Sequence, residues 1–185
     1  MPLMNSTSSY GLVSRLLHWG MAVAIVAMFA LGFWMVGLDY YNPYYKSAPD
    51  LHRSVGIVLL ILLAFRFVWR LVNPDPDRSA LARLERRSAE IAHWGFYPVL
   101  LALMASGYLI STADGRAIDV FGLFQVPALF KQPGLERIAG SVHEILAYLT
   151  MLLAALHGLA AIKHHIVDRD PTLLKMLRSV PSSQS

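Results

Sequence analysis

Four apolar segments dominate this sequence. Each is long enough to cross a bilayer, whose hydrocarbon core takes about 20 residues of helix. They lie at about 16–37 (LLHWGMAVAIVAMFALGFWMVG), 52–72 (HRSVGIVLLILLAFRFVWRLV), 93–112 (HWGFYPVLLALMASGYLIST) and 143–165. With no water to satisfy the backbone inside a bilayer, such isolated segments are helical. The expected architecture is therefore all-α and integral to the membrane: a four-transmembrane-helix bundle forming one domain over residues 1–185. Between the second and third segments, NPDPDRSALARLERRSAE is charged and opens with two prolines, which predicts a loop leading into a short surface helix. Between the third and fourth, GRAIDVFGLFQVPALFKQPGLERIAG is too broken by Gly and Pro to span, and is expected on the membrane surface. The polar start, MPLMNSTSSYGLVSR, lacks a small-residue cleavage pattern, so the first apolar segment is expected to stay as an anchor.

Composition narrows the chemistry. The 185 residues are 56% hydrophobic and 15% charged, and a formal charge of +4 is a poor match to nucleic acid. Cysteine is absent, which excludes disulfides, thiolate metal sites, iron–sulfur clusters and covalent CxxCH haem attachment. Of the Lys and Arg residues, eleven (Arg15, Arg66, Arg70, Arg78, Arg83, Arg86, Arg87, Lys163, Arg169, Lys175, Arg178) fall on one side of the expected bundle. Five (Lys46, Arg53, Arg116, Lys131, Arg137) fall on the other. The excess of positive charge on the inner side puts both termini in the cytoplasm. Trp19, Trp69 and Trp94 then sit at the inner boundary and Trp34 near the outer one, as interfacial anchors do.

Five of the seven histidines lie in or at the start of the spans. Ionisable residues are costly there and mark sites facing the bundle interior. His143 and His157 are fourteen residues apart on the fourth span. On a helix that interval is about 21 Å of rise and about 40° of azimuth, so both face one stripe at two depths. His143 shares its outer depth with His52 alone, whereas His157 shares its inner depth with both His18 and His93. Depth does not choose between those two. Imidazoles converging inside a bundle make a metal or cofactor site. Zinc would need about four protein ligands per site, and no thiolate or core carboxylate supplies them. Two imidazoles on opposite faces of a porphyrin suffice for a six-coordinate haem. Small residues at 105–107 (ASG) and around His157 suit a flat macrocycle between helices. Arg53 on the outside, and Arg66 and Arg70 on the inside, are candidate partners for haem propionates, or else interfacial snorkelling residues.

These motifs together resemble the bacterial cytochrome b561 family of di-haem, four-helix membrane proteins. The matching stretches are RLLHW (15–19), HRSVGI (52–57), RFVWRLVNPDP (66–76), HWGFYPVLLALMASG (93–107), VHE (142–144) and LHGLAAIKHHIVDRDPTLLKML (156–177), with FGLFQVP (121–127) similar to the family's outer loop. The resemblance covers about residues 10–178. It implies two non-covalent b haems, with His18 and His157 as ligands of the inner one and His52 and His143 as ligands of the outer one. His93 and His164 then become candidates for a quinone site or for the surroundings of the inner haem, with Lys163 and Ser14 nearby, while His165 points elsewhere. With both axial positions filled, electron transfer is the natural chemistry. The resemblance implies transfer from a small periplasmic donor, superoxide in some members, to ubiquinone in the bacterial inner membrane. A second reading is a haem b membrane subunit linking a partner dehydrogenase or hydrogenase to the quinone pool; short loops and tails favour a self-contained protein. A haem-free helical transporter or scaffold is a third class, distinguishable by its lack of a Soret band.

Overall fold

The computed structural model describes residues 2–73, 75–76 and 83–177. Arg78 and Arg178, two of the inner-side cations, lie outside them, as do residue 74 and residues 77–82 of the connection between the second and third spans. The described residues form α1 (Leu12–Met35), α2 (Ser47–Val72), α3 (Arg83–Thr112), a hairpin of β1 (Ile118–Val120) and β2 (Phe124–Val126), α4 (Leu135–Ile166) and α5 (Thr172–Leu177). The four long helices are long and apolar enough to cross a membrane.

Two connections differ from their sequence-based expectation. The charged residues 83–92 do not form a separate surface helix; they are the first turns of α3. Their Leu, Glu, Arg and Ala residues are strong helix formers, and Glu85 accepts a hydrogen bond from Lys163 Nζ at 2.8 Å, tying this extension to α4. The segment between α3 and α4 divides into a hairpin and a helix start. Ile118 pairs with Val126 and Val120 with Phe124, antiparallel. Phe121 and Gly122 take positive φ at the tip, and the Asp119 carboxylate accepts the Gly122 N–H at 2.8 Å. α4 then begins eight residues before the expected span. Glu136 in its first turn accepts the Gly134 N–H at 2.8 Å, placing negative charge where a helix N-terminus favours it.

Packing follows chain order: α1 against α2, α2 against α3, and α3 most extensively against α4. The main apolar cluster joins Met21 of α1, Leu59 and Leu63 of α2 and Leu100 of α3. A second joins Ile57 of α2 to Ile118 and Val120 of the hairpin. α4 contributes to neither cluster, and its buried residues are Ala139 and Thr150. Between α1 and α4, the rings of Phe29 and Tyr148 meet with centroids 5.5 Å apart. Large apolar side chains on all four helices, among them Val23, Ile61, Leu101 and Leu152, point outward, as bilayer-facing residues do.

The termini meet at one end of the bundle. Tyr10 N–H donates to the Lys175 carbonyl, Trp19 Nε1 to that of Met176 and Arg15 Nη1 to that of Leu177. Trp69 Nε1 donates inward, to Ser14 Oγ at 3.0 Å.

At the opposite end, Ser54 fastens the hairpin to α2. Its hydroxyl donates to the Asp119 carbonyl at 3.2 Å and accepts the Phe121 N–H at 3.3 Å. Ser54 is buried. Ser54→Ala leaves both backbone groups without this partner, at an expected cost of about 1–3 kcal/mol. A lowered thermal unfolding midpoint of the purified protein checks this; an unchanged midpoint contradicts it.

Candidate functional site

Two histidine pairs lie at opposite ends of the bundle interior. Near the termini, the rings of His18 (α1) and His157 (α4) have centroids 6.1 Å apart and planes inclined by 63°. At the other end, His52 (α2) and His143 (α4) are 6.2 Å apart and inclined by 72°. His93 (α3) also approaches His157, at 5.3 Å, and Phe96 packs edge-on to His157 at 5.7 Å. Two imidazole nitrogens on opposite sides of one metal ion, each at about 2.0–2.1 Å, bring their ring centroids to about 6 Å. The His18–His157 and His52–His143 spacings meet that requirement, and the His93–His157 spacing is shorter.

Hydrogen bonding tests whether these rings can ligate. His143 Nδ1 lies 2.8 Å from the Leu103 carbonyl, which can only accept. Nδ1 therefore carries the proton, and Nε2 presents its lone pair, the tautomer that a metal ligand needs. His52 Nδ1 is buried without a hydrogen-bond partner. The rings of His52 and His143 lie against glycines of neighbouring helices. A Cβ on Gly32 would stand 3.2 Å from His52 Cε1, and one on Gly107 would stand 3.0 Å from His143 Cε1. At the termini end, Arg66 Nη2 donates to His18 Nδ1 at 3.1 Å. A guanidinium only donates, so this contact puts the proton of neutral His18 on Nε2. Ligation through Nε2 requires Arg66 to release Nδ1, and a propionate is an anion that suits a released guanidinium. With that shift, both pairs fit a haem.

The other candidate residues are engaged as follows. Arg53 forms an ion pair with Asp50 and donates from Nε to the Pro49 carbonyl. Arg70 pairs with Asp75 at 2.9 Å and lies over the Trp94 ring at 4.7 Å. Ser14 Oγ donates to Asn5 Oδ1 at 2.8 Å while accepting from Trp69. His164 Nδ1 contacts Asp168 Oδ2 at 2.8 Å and Asp170 Oδ2 at 3.1 Å. Lys163 Nζ bridges Glu85 and Asp168 at 2.8 and 2.7 Å. Its ammonium holds the Asp168 carboxyl below the usual carboxylate range. Glu85, His164 and Asp168 are close enough to share a cation, but the Lys163 ammonium already stands between the two carboxylates. His165 is exposed.

Residues 9–179 match the family described as Prokaryotic cytochrome b561. The chain belongs to the prokaryotic cytochrome b561 family. It is 43% identical over 179 residues to Cytochrome b561 homolog 2 of Escherichia coli (strain K12), covering 96% of this chain and 95% of that one. It is 31% identical over 138 residues to Probable superoxide oxidase CybB of Yersinia pestis, covering 74% and 77%. Cytochrome b561 homolog 1 of E. coli (strain K12) is 25% identical over 166 residues, covering 87% and 92%. As a prokaryotic cytochrome b561, the chain is a multi-pass protein of a bacterial inner membrane that uses b-type haem in transmembrane electron transfer. Sequence reasoning missed Gly32, Leu103, Ser106 and Gly107 of this cytochrome as neighbours of the imidazoles. By residue type the ASG stretch suits a wall for the macrocycle, and no sequence pattern shows that Ser106 and Gly107 lie against His143.

Proposed function

We propose that this cytochrome binds two b haems, one between His18 and His157 and one between His52 and His143, and passes single electrons from a periplasmic donor to ubiquinone. The observation that carries the reading is the match of the two ring separations, 6.1 and 6.2 Å, at two depths of one bundle. The shorter 5.3 Å approach favours His18 over His93 as the partner of His157. When bound, haems with two imidazole ligands supply one-electron transfer without an open position for dioxygen.

The termini face the cytoplasm in this proposal, following the excess of Lys and Arg at that end. Superoxide is the donor, the substrate class named for the Y. pestis relative. Arg53 and Arg116 are held by Asp50 and Asp114, and Asp39, Asp119, Glu136 and Glu144 offset Lys46, Lys131 and Arg137 in count, so steering of an anion rests on the local arrangement of these charges and not on their sum. At the cytoplasmic boundary, His93 and His164 border the quinone. Two superoxide ions give two electrons and leave two dioxygen molecules; ubiquinone takes the two electrons with two protons. His164, whose Nδ1 lies within ion-pair distance of Asp168 and Asp170, takes part in proton delivery to the quinone.

The purified protein tests the reading. A pyridine haemochrome count of two haems per chain, with superoxide-dependent formation of ubiquinol, is the expected result. A count of one removes one histidine pair from the proposal. Two haems without ubiquinol formation removes the donor–acceptor assignment.

A further inference from the structure

α3 carries none of the four proposed ligands, yet it touches His143 at three points. The Leu103 carbonyl accepts from His143 Nδ1 at 2.8 Å. Ser106 Oγ stands 3.2 Å from the same nitrogen and donates its own proton to the Leu103 carbonyl at 2.8 Å. With that proton committed, its oxygen faces His143 as a second acceptor. One residue on, Gly107 lets the ring edge lie against the helix backbone: a Cβ there would be 3.0 Å from Cε1 and 3.3 Å from Nδ1. Contacts of 3.0–3.4 Å are tighter than a packed Cβ ordinarily makes, so a side chain at position 107 has to push the imidazole aside.

We infer that the Leu103–Gly107 turn of α3 is a positioning cradle for His143, fixing its tautomer and ring orientation and making the two imidazoles of that pair unequal. The inference rests on the two-haem reading. Its partner His52 is positioned by shape alone, with Gly32 behind the ring and no hydrogen bond on its buried Nδ1. A carbonyl accepting from Nδ1–H raises the basicity of a ligand imidazole and locks its plane. His143 gains that support and His52 does not. α3 and α4 make the most extensive helix–helix contact of the described residues, and within it Leu103, Ser106 and Gly107 meet one side chain.

The test uses the full-length, haem-loaded protein, with haem content, low-temperature EPR of the low-spin haems and redox titration as readouts. The unmodified protein is measured first. Fewer than two low-spin signals sinks the two-haem reading itself. Given two, Gly107→Ala is expected to shift or abolish one signal and leave the other unchanged. Ser106→Ala is expected to keep both haems and move the midpoint potential of that same haem, with Ser106→Thr restoring it. Gly140→Ala, also on a long helix but with nothing within 4 Å of the new Cβ, controls for helix composition. The cradle is overturned if Gly107→Ala leaves both signals untouched, or if it disturbs both equally. It is overturned too if Ser106→Ala leaves both potentials unmoved.

Discussion

His143→Ala is expected to lower the haem content from two per chain to one and to stop transmembrane electron transfer. His143 is the proposed ligand for which the geometry leaves least freedom. It faces His52 at 6.2 Å, has Nδ1 committed to Leu103, and backs onto Gly107. Losing a residue that merely orients a ligand costs about 10–100-fold in affinity or activity, and losing the ligand itself costs more. The remaining haem, at the His18–His157 pair, should keep its low-spin spectrum, because the two pairs are about 21 Å apart along α4. Haemochrome counting with EPR checks both halves of the statement. Loss of both haems from His143→Ala would show that the sites are not independent.

The second large effect separates two histidines that share one depth. His18→Ala is expected to remove the haem at the termini end, whereas His93→Ala should retain two haems per chain. The 6.1 Å spacing of His18 from His157 leaves room for an iron between the rings, and the 5.3 Å spacing of His93 leaves less. His93→Ala should instead act on quinone reduction, since the residue borders the proposed acceptor. If His93→Ala loses a haem and His18→Ala does not, the ligand assignment at that end is reversed.

The sequence made the four helices legible because bilayer thickness sets a length that no loop in this chain imitates. The pairing of His143 with His52 was legible for a similar reason: helical rise converts residue number into depth, and one other histidine lies at that depth. Depth carries no information about azimuth between helices, so His18 and His93 stayed equivalent until their distances to His157 were known. The start of α3 was misplaced because residues 83–92 change from apolar to charged, and a change of solvent resembles a change of element. The three-residue strands of the hairpin are too short to show a period. Ser14 and Arg70 fitted a site by location alone. The folded chain engages them with Asn5 and Trp69, and with Asp75 and Trp94. Backbone acceptors such as the Leu103 carbonyl have no sequence signature at all.

Both histidine pairs join an early helix to the last long one: His18 and His52 reside on α1 and α2, and His157 and His143 on α4. Neither site exists in a nascent chain that ends before α4. A ribosome must deliver three helices to the bilayer before the first pair of imidazoles can close, and the hydrogen bonds that lock the N-terminal arm wait for residues 175–177. Both histidine pairs and the latch between the chain ends therefore close only after the fourth helix has been made.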